Sequence, residues 1–151
     1  MTHLISKEEL LKKLQKFVDL IKHNDKIIAL YLFGSYSSGR PTSLSDIDLA
    51  VLFDRFVEPG YFLPEKLRLM GDLSIILGTD GIDLVVLNEA PPGLGYRVIK
   101  EGELLFIRDE AKNRLVEFKV RVLDRYFDFQ PVQRMMSEGM ARRIEEGRFG
   151  G

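Results

Sequence analysis

The sequence of 151 residues contains no cysteine. This absence excludes disulfide bonds, zinc sites built on thiolates and a cysteine nucleophile. The two histidines, His3 and His23, cannot form the paired-histidine motif of zinc proteases. The chain has no run of about 20 apolar residues that could span a membrane, and its N-terminus lacks the apolar core of a signal peptide. Together these absences predict a cytoplasmic protein without a membrane span.

The sequence has no large excess of either acidic or basic residues. The chain carries 22 basic and 23 acidic residues, which gives a formal net charge of -1. Proteins that grip nucleic acid usually present a basic surface, so this balance argues against nucleic acid as a direct substrate. Apolar residues make up 45% of the sequence, a typical value for a globular protein. The length suits one domain, and we expect a single domain over residues 1–151.

Strand and helix patterns alternate along the chain. Ser6 and Glu9 form a capping box that opens an amphipathic helix. The apolar patterns then predict strands over 27–33, 46–53, 81–88 and about 103–107, and helices over 64–77, shortly after 90, and 109–129. This alternation predicts an α/β or α+β fold around a small sheet. The core would cover about 6–108, followed by a C-terminal helical segment over about 109–146.

The C-terminal segment shows two apolar stripes at helical spacing. Such a wide apolar face predicts deep burial or a partner. Pro131 predicts a kink or break, after which a last helix follows. This helix carries methionines at helical spacing, which suit either a core or a partner-binding surface. The first stripe consists of Leu115, Phe118, Val122, Tyr126 and Phe129, the second of Val116, Val120, Leu123 and Phe127, and the methionines are Met135, Met136 and Met140.

The stretch FGSYSSGRPTSLSDIDLAV, residues 33–51, offers a candidate phosphate-binding loop. Its two glycines, Gly34 and Gly39, have the separation of a Walker P-loop. However, Arg40 replaces the lysine of that motif, and Pro41 replaces the hydroxyl residue that would ligate magnesium. The P-loop interpretation therefore fails.

A second interpretation joins the same turn to two aspartates. Gly34 allows close approach of the backbone to a ligand, and Ser35 offers a hydroxyl and an N–H at the start of a short helix. Asp46 and Asp48 follow, and residues i and i+2 of a strand point to the same side. Two adjacent carboxylates favour a magnesium ion, which also keeps substrate phosphates among its ligands.

A third carboxylate would complete a two-metal site. Asp83 is the best candidate, because it opens an otherwise apolar strand; Asp80 and Asp54 are weaker candidates in loops. The implied reaction is attack of a hydroxyl on the α-phosphate of a nucleoside triphosphate, with pyrophosphate as the leaving group.

The pattern Gly34-Ser35-x10-Asp46-x-Asp48, followed by Asp83, resembles the DNA polymerase β-type nucleotidyltransferase superfamily and especially its minimal (MNT) members. The later stretch PPGLGYRVIKEGELLFIRD resembles MNT-domain antitoxins, so the resemblance covers roughly residues 27–129. It implies a polymerase β-like fold, with a small mixed sheet flanked by helices.

The resemblance also implies roles for the site residues. Asp46 and Asp48 would bind two Mg²⁺ ions, and Asp83 would position one ion and activate the attacking hydroxyl. Gly34 and Ser35 would contact the triphosphate of ATP. A phosphate contact by Arg40 is inferred from its position and charge alone.

MNT antitoxins are encoded beside HEPN-domain ribonuclease toxins and transfer AMP from ATP to a toxin tyrosine. The resemblance therefore implies this activity and a hetero-oligomer with the toxin. One alternative is transfer to a small molecule such as an aminoglycoside, although 151 residues leave little room for the additional helical domain of those enzymes. Another is a non-catalytic module that neutralises a toxin by covering it. Elongation of nucleic acid is the least favoured alternative.

Overall fold

The computed structural model describes residues 5–42 and 45–145, with side chains as far as residue 128. Five α-helices in these ranges are α1 (Lys7–Ile21), α2 (Ser35–Ser38), α3 (Phe62–Leu77), α4 (Pro92–Glu101) and α5 (Lys112–Glu145). The strands are β1 (Ile27–Phe33), β2 (Ile47–Phe53), β3 (Ile82–Val86) and β4 (Glu103–Ile107). Short 3-10 turns occupy Pro59–Tyr61, Leu87–Glu89 and Asp109–Ala111. The predicted order of strands and helices is confirmed.

Local signals account for where several elements begin and end. The Ser6 hydroxyl accepts a hydrogen bond from the Glu9 backbone N–H at 3.1 Å, which caps α1 as predicted. Gly78 ends α3 in the left-handed conformation, with φ 69°. The end of α1 is held by Arg108, whose guanidinium donates to the carbonyl oxygens of Ile21 and Asn24 at 3.2 and 2.7 Å. Arg108 thereby joins the end of β4 to the end of α1.

The four strands form one mixed sheet in the order β3-β2-β1-β4. Strand β1 pairs antiparallel with both β2 and β4, whereas β2 and β3 are parallel. Helix α3 connects the two parallel strands and packs beside β3 and α1. In the parallel pair, Asp48 of β2 lies opposite Asp83 of β3. The predicted small mixed sheet flanked by helices is therefore confirmed.

Each face of the sheet buries its own apolar cluster. One cluster packs α1 and α3 against the odd-numbered residues of β2, and the other packs α4 and α5 against Ala50 and Leu52. Because side chains alternate along a strand, Asp48 projects from the same face as Ala50 and Leu52. The α4 side of the sheet therefore carries this carboxylate.

Helix α5 differs from the prediction in one respect. It continues without interruption over 34 residues, so the predicted break at Pro131 is wrong. A proline in a helix interior removes one hydrogen bond, and helix-forming residues on both sides allow the helix to continue past it. The methionines fall where side chains lie outside the described part of the chain. Among the described residues, no helix is long and apolar enough to cross a membrane.

The two apolar stripes of α5 have different surroundings. Leu115, Phe118 and Val122 of the first stripe are buried against the sheet. In the second stripe Val116 and Phe127 are 59% and 54% exposed. One stripe thus supplies core, and the other leaves an apolar surface open.

Candidate functional site

The Gly-Ser turn follows β1 directly. Gly34 has φ 74° and ψ −149°, a conformation that only glycine adopts readily. The chain then forms the short helix α2, in which the Ser38 N–H donates to the Gly34 carbonyl at 3.0 Å. Arg40 closes the turn with a backbone N–H donated to the Ser35 carbonyl at 3.0 Å. Ser35 therefore sits at the start of a helical turn, as its sequence position predicts.

Gly34 is also required by its neighbour on β2. A Cβ built on Gly34 would overlap the Asp48 carboxylate and lie 3.0 Å from its Cγ. The absence of a side chain lets the backbone of the turn pack directly on this carboxylate. The structure thus brings together the predicted phosphate-binding turn and one of the predicted metal ligands.

The three predicted aspartates lie at one end of the parallel strand pair. Asp48 and Asp83 are opposite each other in the register. Asp46 immediately precedes β2, where the Ile47 N–H donates to the Gly81 carbonyl at 2.9 Å. A Cβ built on Gly81 would lie 3.5 Å from Oδ1 of Asp46, so this carboxylate also leans towards β3. Asp46 and Asp83 are exposed, and Asp48 is half-buried.

Burial and the crowding of negative charge both perturb the pKa of the central carboxylate, that of Asp48. Burial raises the pKa of Asp48 above its ordinary value, and the negative charges of Asp83 and Asp46 raise it further. The positive charge of Arg97 opposes this rise. Asp48 therefore lies in an acidic cluster whose repulsion a divalent cation would relieve.

The carboxylates do not form a complete metal cage by themselves. Within the part of the chain that the structure describes, no three acidic or histidine side chains come together closely enough to hold an ion. Magnesium usually takes only one or two protein carboxylates and fills its other positions with water and substrate phosphates. The paired aspartates beside the Gly-Ser turn fit such a site, in which the nucleotide supplies the remaining oxygen ligands.

The other predicted candidates have different surroundings. Arg40 is exposed at the end of the turn, and its phosphate contact stays a prediction. Asp54 lies at the opposite end of β2, where it is buried and paired with Arg114 at 2.7 Å. Asp80 belongs to the turn before β3, and its backbone carbonyl accepts a hydrogen bond from Ile82 at 2.8 Å. Neither aspartate is among the charges that act on Asp48, which agrees with their weaker ranking.

Arg97 is a residue near the carboxylates that the sequence motif did not predict. This residue lies on α4, outside the Gly-Ser and aspartate motif, yet its charge reaches Asp48. The one available signal was its position inside the second stretch that resembles MNT antitoxins. Only the packing of α4 on the sheet brings this cation towards the acidic cluster.

Comparison with known proteins shows the family to which the chain belongs. Residues 15–111 match the family described as Polymerase beta, Nucleotidyltransferase. Because this match covers more than half of the chain, the protein belongs to that family and is a nucleotidyltransferase. The family uses a nucleotide substrate and a divalent metal, which agrees with the turn and the carboxylates.

Two relatives have sequences similar to part of this chain. A candidate protein adenylyltransferase of Methanocaldococcus jannaschii is 38% identical over 77 residues, which are 51% of this chain and 74% of that protein. Protein adenylyltransferase MntA of Shewanella oneidensis is 35% identical over 92 residues, 60% of this chain and 63% of MntA. The chain thus spans less than two thirds of the length of MntA.

A solved structure supports the fold over most of the chain. It is the crystal structure of a toxin-antitoxin with AMP-PNP, and it superimposes with a TM-score of 0.63 at 26% identity. The superposition covers 91% of this chain and 99% of that chain. The polymerase β-like fold expected from the resemblance is therefore confirmed.

Proposed function

We propose that this nucleotidyltransferase transfers AMP from Mg-ATP to a tyrosine hydroxyl of a partner HEPN ribonuclease toxin, and so acts as its antitoxin in the cytoplasm. The observation that carries the proposal is the packing of the Gly34 backbone on Asp48, with Asp83 opposite in the register. The relatives named as protein adenylyltransferases support AMP as the transferred group. The structure of a toxin-antitoxin with AMP-PNP supports a toxin as the partner.

The residues of the site would have separate roles in binding the nucleotide and the metal ions. Gly34 and Ser35 would hold the triphosphate through backbone N–H groups and the serine hydroxyl. Asp46, Asp48 and Asp83 would hold two Mg²⁺ ions. When bound, these ions would neutralise charge on the phosphates and on the attacking and leaving oxygens.

The proposed reaction is a single displacement at phosphorus. The acceptor oxygen forms a bond to the α-phosphorus, and the bond between this phosphorus and the pyrophosphate oxygen breaks. The proton of the acceptor hydroxyl passes to Asp83, and pyrophosphate leaves. The products are an AMP ester of the acceptor and pyrophosphate.

A second candidate function is neutralisation of the toxin by binding alone. The observation that favours it is the open apolar stripe on α5, where Val116, Val120 and Phe127 are 59%, 51% and 54% exposed. Such a surface suits a protein partner better than a small-molecule acceptor such as an aminoglycoside. The two functions are compatible, because a bound toxin could also be the acceptor.

The test is to incubate the protein with Mg-ATP and its co-encoded partner, and then to weigh the intact partner by mass spectrometry. We expect the partner mass to rise by one or more AMP units. The variant Asp46→Asn should lower the rate by about 10³-fold, because it removes a ligand whose ion stabilises transition-state charge. Asp109→Asn is the matched control, since the Asp109 side chain is 88% exposed and far along the chain from the motif.

Each other outcome selects a different function. An unchanged partner mass in a stable complex would favour the binding module. No change and no complex would favour a small-molecule acceptor. Near wild-type transfer by Asp46→Asn would contradict the metal assignment.

A further inference from the structure

Helix α4 is held in a fixed orientation beside the Gly-Ser turn. Val98 is completely buried against the sheet. Gly95 packs against α5, since a Cβ built on it would lie 3.4 Å from Cγ1 of Val122. At the end of α4, the carbonyl oxygen of Glu101 accepts a hydrogen bond from the Ser37 hydroxyl at 3.2 Å. Because Ser37 belongs to α2, this edge of α4 contacts the predicted nucleotide-binding turn.

Arg97 lies one helical turn before this contact. Residues i and i+4 of an α-helix occupy one face, and Arg97 precedes Glu101, whose backbone carbonyl contacts α2, by four residues. Its positive charge also acts on Asp48, which places it within electrostatic reach of the acidic cluster. Arg97 therefore lies one turn from the contact with α2 and within electrostatic reach of Asp48.

Two neighbouring cations, Lys7 and Lys100, already have partners. Lys7 forms an ion pair with Glu103. Lys100, on the same helix as Arg97, lies 5.5 Å from the centre of the Tyr96 ring. Arg97 is exposed, and among the described residues its guanidinium forms no hydrogen bond or ion pair. A cation beside an acidic cluster and a phosphate-binding turn is thus left available for a ligand.

We propose that Arg97 binds the β- and γ-phosphates of the nucleotide and stabilises pyrophosphate as it leaves. A guanidinium offers two parallel N–H groups to phosphate oxygens, a geometry that a lysine cannot reproduce. As the bond to the α-phosphorus breaks, negative charge moves onto the pyrophosphate oxygens, where a fixed cation is most useful. This inference rests on the proposed function and adds a phosphate-binding residue from outside the motif.

The test compares nucleotides that differ in their phosphates. Binding of Mg²⁺ with α,β-methylene-ATP, which cannot be cleaved, and binding of AMP are measured by isothermal titration calorimetry. Arg97→Gln should weaken binding of the triphosphate analogue by about 10-fold or more, because a charge-assisted hydrogen bond is lost. AMP affinity should stay unchanged, since AMP lacks the two phosphates. Arg97→Lys should fall between wild type and Arg97→Gln, and Lys100→Gln should bind like wild type.

Two results would overturn this role. One is equal weakening of the analogue and of AMP. The other is unchanged analogue binding together with tighter Mn²⁺ binding in an electron paramagnetic resonance titration. That second result would mean that Arg97 acts only through the electrostatic effect of its charge on the carboxylates and does not bind phosphate.

Failure of the proposed function would give a different result in the same titrations. Wild-type protein that binds neither nucleotide would contradict the nucleotide site itself, whatever the role of Arg97. Thermal unfolding by circular dichroism checks that the variants are folded. If Arg97→Gln unfolds, Arg97→Lys is tested in its place. The ratio of its affinity for the triphosphate analogue to its affinity for AMP is compared with that of wild type, and an unchanged ratio would overturn the proposed role.

Discussion

Strand β2 is flanked by acidic side chains at both ends, but the two ends surround their carboxylates differently. At one end Asp48 is half-buried and faces two other aspartates, and burial and their charges raise its pKa. At the other end Asp54 is buried, accepts a hydrogen bond from the Arg55 backbone N–H at 2.7 Å, and pairs with Arg114 at 2.7 Å. One carboxylate is crowded by like charge, and the other is fully compensated.

The backbone at the two ends shows the same contrast. At the Asp54 end, the Asn88 side chain accepts from the Phe53 N–H and donates to the Phe53 carbonyl, both at 2.9 Å. At the Asp48 end, a bare glycine packs on the carboxylate and leaves the adjoining turn open to a ligand. The compensated end contributes to stability, whereas the uncompensated end leaves its carboxylates without a counter-charge, as the proposed cation site would require.

The largest effect on stability is expected from breaking the compensated end. Asp54→Asn removes the charge that pairs with Arg114, whose side chain is only 29% exposed. An unpaired, mostly buried cation is costly, so the free energy of unfolding should fall by about 2–3 kcal/mol. The measurement is urea unfolding at pH 7.

The double variant Asp54→Asn with Arg114→Met is the control. It removes both charges while keeping much of the arginine stem, and it should recover part of the lost stability. If Asp54→Asn unfolds like wild type, the ion pair does not stabilise this end of β2.

At the other end, a smaller difference in stability is expected between two glycine variants, one of which fills the space beside Asp48. Gly34→Ala puts a methyl group into the Asp48 carboxylate at a positive φ, whereas Gly39→Ala shares the positive φ, 78°, but meets nothing within 4 Å. Both variants carry backbone strain, which costs about 1–3 kcal/mol. Gly34→Ala should lose about 1 kcal/mol more than Gly39→Ala, because only it also displaces the carboxylate. Equal losses in urea unfolding would show that conformation alone requires Gly34.

The smallest effect concerns the charge of Asp48. Its pKa in the folded protein lies above the ordinary value of 3.8, so the folded protein binds this proton more tightly than the unfolded chain does. Stability is therefore lost as the pH rises from the unfolded pKa through the raised folded pKa. Asp48→Asn removes that loss and should raise the Tm at pH 7, without magnesium, by about 1–3 °C.

The pH dependence of the Tm difference between Asp48→Asn and wild type tests this explanation. At about pH 3, below the ordinary pKa of the carboxyl, the Tm difference between Asp48→Asn and wild type should disappear. Thermal unfolding followed by circular dichroism at both pH values measures it. A lower Tm for Asp48→Asn at pH 7 would mean that the Asp48 carboxylate stabilises the fold, as Asp54 does at the other end of β2.

Much of the fold and part of the site could be predicted from local patterns. The cap at Ser6, the alternation along β2 and the stop at Gly78 each depend on residues a few positions apart. The predicted motif also joins Gly34 and Asp48, and the structure packs the Gly34 backbone on the Asp48 carboxylate. The predicted break at Pro131 was wrong, because one proline does not by itself decide whether a long helix continues.

By itself the sequence determined the helices, the strands, the glycine turn and the carboxylate motif, because their signals act between near neighbours in the chain. Only the tertiary structure decided that Asp83 lies opposite Asp48, that the charge of Arg97 acts on Asp48, and that Asp54 pairs with Arg114. Strand register and helix docking depend on burying two apolar clusters at once. Those contacts join residues far apart in the chain, so no local pattern specifies them.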